Sequence, residues 1–95
     1  MIDPLSGQMT AEITRRLTRA LDPTHLEVRN DSASHRGHAG DDGSGESHFT
    51  VRIVASAFAG MTRLQRQRSV NAALAELLRD RIHALAIEAR APGEA

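Results

Sequence analysis

The chain has 95 residues, with twelve arginines, no lysine, twelve acidic residues and a formal net charge of zero. The length predicts one small domain, and the net charge predicts no global attraction to nucleic acid or anionic lipid. The absence of cysteine excludes disulfides, thiolate zinc sites and any iron–sulfur cluster held by the chain's own thiolates. No apolar stretch reaches the ~18 residues of a membrane span, and the N-terminus lacks the apolar core of a signal peptide, so we expect a cytoplasmic protein.

The first predicted elements are a lead-in, one helix and one strand. Residues 1–8 hold a proline and a glycine and are expected to be a flexible lead-in, because both residues disfavour a helix. Apolar residues then recur at helical spacing and predict a helix over 9–21, which ends before Pro23. Strict alternation over 25–30 predicts a short strand with one buried face, and His25 lies at its entry.

Residues 31–47 form the most unusual segment, because they contain four of the seven glycines and no large apolar or aromatic side chain. This composition predicts a long flexible loop, and loops longer than about 15 residues are usually functional or disordered. His35 and His38 lie in the loop as H-x-x-H. That spacing alone is weak evidence for a metal site, because a flexible loop imposes no ligand geometry.

The second strand is predicted over 48–55, where apolar and polar side chains alternate again. Together with the first strand it predicts a hairpin with a long connecting loop. His48 has the opposite parity to Phe49, which is expected to face the core, so we expect His48 at the surface or edge of the sheet.

A turn over 56–61 leads into a long helix that the apolar stripe predicts over 62–79. Thr62 and Gln65 fit a capping box, in which each side chain accepts a hydrogen bond from the other residue's backbone N–H. This pair therefore marks the predicted start of the helix.

The last strand is predicted over 81–90, and its near-continuous apolar run is typical of a strand that is central or mostly covered. His83 lies near its start. An imidazole there is either a partly buried side chain with satisfied hydrogen bonds or a metal ligand, and the local sequence leaves both interpretations open. Residues 93–95 are expected to be a short tail.

The predicted element order is α-β-β-(short helix)-α-β. This order describes an α+β protein with a single domain over 9–92, in which a three-stranded sheet is covered by helices on one face.

The sequence contains no motif of a common enzyme class: it has no nucleotide-binding glycine motif, no serine-hydrolase elbow and no cysteine nucleophile. Asp41, Asp42 and Glu46 lie in the flexible loop, which cannot hold a general acid and base in place. We therefore expect a binding protein that is not an enzyme and has no small-molecule substrate.

Arg63, Arg66 and Arg68 cluster near the start of the long helix, where arginines are suited to contact phosphate. An ordinary solvated helix face explains the same cluster, and from the residues alone it is the favoured interpretation. The only aromatic residues are Phe49 and Phe58, and both are expected in the core, so stacking of single-stranded bases is disfavoured.

Four segments together resemble the BolA family: LEVRNDS (26–32), ESHFTVRIVASAFAG (46–60), RLQRQRSVNAALAELL (63–78) and RIHALAIEARAP (81–92). They occur in the family's order and span nearly the whole chain. The resemblance implies a fold similar to a class II KH domain, with the third strand between or beside the hairpin strands. The family lacks the G-x-x-G clamp of KH domains, and Gly60-Met61-Thr62-Arg63 does not restore it, so RNA binding through that clamp is not expected.

The resemblance implies that this protein binds a monothiol glutaredoxin and shares a [2Fe–2S] cluster with it and with glutathione, in cluster assembly, trafficking or iron regulation. The thiolates would come from glutaredoxin and glutathione. His83, in the family's H-A-L motif, would provide one imidazole. The second ligand would come from the loop after N-D-S, at His35 or alternatively His38. The isolated chain is expected to hold no cluster.

The resemblance also implies an alternative function, that of a DNA-binding transcriptional regulator, with Arg63, Arg66 and Arg68 as candidate phosphate contacts. The family commonly has R-H-R where this chain has Arg66-Gln67-Arg68. Gln67 cannot become charged, so any contribution of that histidine to binding is altered here.

Overall fold

The computed structural model describes residues 8–31 and 48–94, and within them it contains three α-helices, a short 3₁₀ helix and a three-stranded sheet. The elements in chain order are α1 (Gln8–Leu21), β1 (His25–Asn30), β2 (His48–Val54), the 3₁₀ helix (Ser56–Phe58), α2 (Arg63–Ala73), α3 (Ala75–Asp80) and β3 (Ala84–Arg90). This order confirms the predicted α+β class, while nearly all of the predicted lead-in and of the loop lies outside the described residues. No helix in the described ranges is long and apolar enough to cross a bilayer.

The central strand of the sheet is β2, which pairs antiparallel with β1 and parallel with β3. In the register, Val51 lies between Val28 of β1 and Ile87 of β3. The expectation that the last strand is central or mostly covered was wrong, because β3 lies at an edge of the sheet. β2 pairs with β1 on one side and with β3 on the other. The apolar run of β3 misled because Ala84 and Ala86 are exposed, and alanine is compatible with either face.

The core lies between one face of the sheet and the helices. Residues of alternate parity in β2 are buried there against side chains from α1, the 3₁₀ helix and α2, and each large apolar side chain contributes about 1.5–3 kcal/mol by its burial. The largest fully buried side chains are Phe49, Phe58, Ile13, Leu17, Ile53, Leu74, Val51 and Val70. The opposite face of the sheet is polar, and Arg52 on β2 pairs there with Glu88 on β3 at 3.0 Å.

The predicted capping box is present at the start of α2. Thr62 Oγ1 accepts from the backbone N–H of Gln65 at 3.1 Å, and Gln65 Oε1 accepts from the backbone N–H of Thr62 at 2.8 Å. Two of the backbone N–H groups at this end of the helix are therefore satisfied within the chain.

The single helix predicted over 62–79 is wrong, because the chain leaves the helical conformation at Leu74, where φ is −111° and ψ is 12°. The backbone N–H of Leu74 is shared between the carbonyls of Val70 and Asn71, at 3.2 Å each. The apolar stripe continues into α3 through Leu77, which is also buried. Apolar spacing therefore cannot reveal this break, since both helices present their stripes to the same core.

Candidate metal-ligand site

Two imidazoles meet at one end of the sheet. His48 is the first residue of β2, and His83 lies in a bend directly before β3. Their ring centroids are 5.4 Å apart and their planes are tilted by 50°. The fold thus brings together two histidines that are far apart in the sequence.

The strand register explains this contact. β2 and β3 run parallel and begin at the same end of the sheet, with His48 opposite Ala84. The residue that precedes Ala84 is His83, so its side chain emerges beside the start of β2. β1 ends at the same place, because the backbone N–H of Asp31 donates to the carbonyl of His48 at 2.7 Å.

The two histidines differ in exposure. Only 5% of His48 is accessible, whereas His83 is exposed. The expectation of a surface or edge position for His48 was wrong, because β2 is the central strand of the sheet and His48 is buried there despite the parity of its position. His83 precedes β3 and is not part of it, so the interpretation as a partly buried side chain does not hold. The accessible imidazole is that of His83.

Asp31, Thr50 and Arg29 stabilise the adjacent end of the hairpin. The carboxylate of Asp31 accepts from the Thr50 hydroxyl and from Nε of Arg29, the latter at 2.7 Å. The hydrogen bond to Asp31 raises the pKa of Arg29 above its ordinary value. This carboxylate is therefore engaged by its hairpin neighbours beside the histidine pair.

The described residues do not complete a metal site by themselves. Within 8–31 and 48–94 there is no group of three or more histidine, aspartate or glutamate side chains placed to hold a metal ion. The other predicted ligands, His35 and His38, lie outside the described residues. The segment that carries them follows Asp31 and leads into His48, so both of its ends are at the end of the sheet where His83 lies.

The three predicted arginines of α2 do not form one surface. The side chain of Arg66 is only 12% exposed, and its guanidinium donates to the carbonyl of Met61 at 3.0 Å and to the carboxylate of Glu94 at 2.8 Å. Arg63 and Arg68 are exposed, but a separation of five residues turns them about 140° apart around the helix axis. Arg66 is therefore engaged in contacts within the fold, and the remaining two arginines point in different directions.

Glu94 is strongly biased toward its ionised form. The hydrogen bond from Arg66, followed by one from the backbone N–H of Ala91, lowers the pKa of Glu94 to about 2. Gln67, at the position where the resemblance led us to expect histidine, is half-buried and lines a groove between α2 and β3. Neither residue adds an exposed positive charge to the start of α2.

Sequence reasoning identified His83 but missed His48 as part of this site. The available signal was weak: each histidine lies at the start of a predicted strand, but only the parallel pairing of those strands brings the two starts together. The predicted hairpin of the first two strands does not tell whether the third strand pairs with β1 or with β2.

Comparisons with known proteins agree on one family. The family model described as BolA-like protein matches residues 17–94. A Sinorhizobium protein, named by its location in the cobS 5′ region, is 52% identical over 87 residues, which are 90% of this chain and 94% of that protein. Human BolA-like protein 1 is 50% identical over 88 residues, 93% of this chain, and the match spans 61% of the human protein.

A solved structure supports the same assignment. The BolA domain of SufE1 from Arabidopsis thaliana superposes with a TM-score of 0.84 at 37% identity, covering 94% of this chain and 98% of that domain. A further relative, SufE-like protein 1 from Arabidopsis thaliana, is named as chloroplastic/mitochondrial, so the cytoplasmic location expected for this chain stays a prediction.

Proposed function

The chain belongs to the BolA family, and we propose that it binds a monothiol glutaredoxin and contributes imidazole ligands to a shared [2Fe–2S] cluster. The role is one of binding and cluster handling, with no catalysis assigned to this chain. The occurrence of a BolA domain within SufE1 supports a link to iron–sulfur assembly.

The observation that carries the proposal is the position of His83. Its imidazole is exposed at the end of the sheet, outside the ladder of β3, so a partner can approach it without disturbing a strand. The ring also lies beside the point where the predicted ligand loop begins, because Asp31 is hydrogen-bonded to the first residue of β2. An imidazole can bind iron through one nitrogen while the other is held by a neighbouring group.

The donor set of this chain fits a shared cluster and does not fit one held by this chain alone. The chain has no cysteine, and the described part of it holds no group of three metal-ligating side chains. We therefore assign the thiolates to glutaredoxin and glutathione, and the imidazoles to His83 and His35, with His38 as the alternative to His35. Replacing two thiolates by neutral imidazoles raises the reduction potential of such a cluster.

The test is a titration of cluster-loaded monothiol glutaredoxin, with glutathione present, by this protein, followed by visible absorption and circular dichroism. We expect a change of the cluster spectrum with wild type and its loss with His83→Ala. His25→Ala is the matched control, because His25 is exposed and pairs with Val54 at the opposite end of β2. An identical spectral change with His83→Ala and wild type would overturn the proposal.

DNA binding through α2 receives less support than the cluster role. Arg66 is engaged by Met61 and Glu94, and the two exposed arginines diverge around the helix, so the structure offers no continuous phosphate-binding surface there. Affinity for duplex DNA measured against salt tests this alternative. A steep salt slope that Arg63→Gln and Arg68→Gln reduce would restore it.

A further inference from the structure

We propose that His48 is a positioning residue for His83: its buried ring restricts the exposed imidazole of His83 to the orientation in which that imidazole binds a partner's metal. The identity of that metal rests on the proposed function. The restriction itself depends only on the contact between the two rings.

His83 needs such a restriction, because it lies in a bend and the strand begins only at Ala84. An exposed side chain in such a position changes rotamer on a picosecond to nanosecond timescale. Immobilising one side chain on binding lowers the affinity by roughly two- to tenfold, and a side chain that is already fixed avoids most of this loss.

His48 is suited to provide the restriction, since it is itself fixed. It is 5% exposed and opens the central strand. Its carbonyl accepts the hydrogen bond from Asp31, and its backbone pairs in register with Ala84. The separation of 5.4 Å between its ring centroid and that of His83 lies within the range of about 4.5–7 Å over which planar rings contact each other. His83 therefore contacts the side chain of a residue whose backbone is held in the sheet and which is nearly buried.

The difference in burial assigns different roles to the two rings. A cluster held by a partner protein can reach the exposed ring of His83. His48, of which only 5% is accessible, is not available to such a cluster in this conformation. His48 accordingly acts through His83 and is not itself the ligand.

Two substitutions separate ring packing from nitrogen chemistry. His48→Phe keeps a planar ring and removes both nitrogens, whereas His48→Ala removes the ring. The first readout, which needs no metal, is the pair of three-bond couplings between Hα and the two Hβ protons of His83. We expect unequal couplings, and hence one χ1 rotamer, in wild type and His48→Phe, and averaged couplings in His48→Ala.

The second readout is the apparent affinity for cluster-loaded monothiol glutaredoxin. We expect His48→Ala to weaken it by roughly two- to tenfold, and His48→Phe to stay within about twofold of wild type. His25→Ala serves as the control for loss of a histidine elsewhere on the sheet. If His48→Ala does not fold, His48→Val replaces it, because valine is well tolerated in strands but offers no planar ring.

Two results would overturn the proposal. Unequal couplings together with unchanged affinity in the ring-deleted variant would show that His48 does not restrict His83. Wild-type couplings with a lost spectral change in His48→Phe would show that a His48 nitrogen is required, as a ligand or a hydrogen-bonding group. If wild-type protein does not change the cluster spectrum at all, the proposed function fails, whereas the couplings still decide whether His48 positions His83.

Discussion

The carboxylate of Glu94 accepts hydrogen bonds from both terminal nitrogens of the Arg66 guanidinium, one of them at 2.8 Å. The same guanidinium donates through Nε to the carbonyl of Met61. This arrangement fastens the segment after β3 to the start of α2. It also explains why an arginine that the sequence presents as a phosphate contact is largely covered.

Glu94→Gln is expected to lower the free energy of unfolding at neutral pH, because the variant loses the charged partner of Arg66. The pKa of Glu94 is about 2 in the folded protein, against an ordinary value of 4.5. The contribution is therefore fully present above pH 4.5 and is lost as the pH falls toward 2. Urea unfolding of wild type and variant between pH 7 and 2 measures the difference.

The control for this prediction is Glu27→Gln, because Glu27 is exposed on the polar face of the sheet. We expect it to leave the pH dependence of wild type nearly unchanged. A difference between wild type and Glu94→Gln that stays constant from pH 7 to pH 2 would contradict the role of the ionised carboxylate.

Thr62→Ala is expected to reduce the free energy of unfolding by about 0.5–2 kcal/mol, because the backbone N–H of Gln65 loses its acceptor. Chemical denaturation at pH 7 measures the loss. Thr18→Ala, at an exposed position within α1, is the matched control and is expected to be neutral or slightly stabilising, since alanine has the higher helix propensity. Equal effects of the two substitutions would show that the capping box does not stabilise α2 in solution.

Gly60→Ala is expected to destabilise the protein by about 1–2 kcal/mol, the cost of a left-handed conformation for a residue with a Cβ atom. Gly60 has a φ of +79°, and a Cβ built on it meets nothing within 4 Å, so the expected cost is conformational and not steric. Gly60→Asn should cost less, because asparagine adopts this conformation more readily. If alanine and asparagine cost the same, the turn between the 3₁₀ helix and α2 does not require the left-handed conformation.

His83→Ala is expected to change the free energy of unfolding by less than about 0.5 kcal/mol, because the side chain is exposed and lies outside β3. His48→Ala should cost more, about 1–3 kcal/mol, since it removes a buried polar ring from the start of the central strand. Thermal and urea unfolding provide both values. If His83→Ala were as destabilising as His48→Ala, its loss of the cluster spectrum would report unfolding and not the loss of a ligand.

The local elements were largely predictable because their signals are local. Apolar spacing placed α1 and β2 within one residue of their observed bounds, and β1 at its observed bounds. The capping box at Thr62 and Gln65 was readable for the same reason, since both partners belong to one helical turn. Periodicity failed at Leu74, where one residue leaves the helical conformation and the apolar stripe continues unbroken.

The site was predictable only in part. His83 was identified because it lies in the H-A-L motif of the family that the sequence resembles. Its imidazole is exposed, as a metal ligand that meets a partner protein has to be. His48 was missed as a component, since its burial and its contact with His83 depend on the parallel pairing of β2 with β3. Arg66 was treated as one of three equivalent arginines. Its contact with Glu94 could not be predicted, because it joins the start of α2 to the segment after β3.

The sequence by itself determined the order of helices and strands apart from the break at Leu74, and it determined that this chain supplies no thiolate to an iron–sulfur cluster. Both follow from composition and short-range periodicity, which need no knowledge of distant contacts. Only the tertiary structure decided that β2 is central, that His48 packs beside His83 and that Arg66 is covered by Glu94. These are consequences of strand register and crossover, in which residues far apart in the chain pair only after the core has formed.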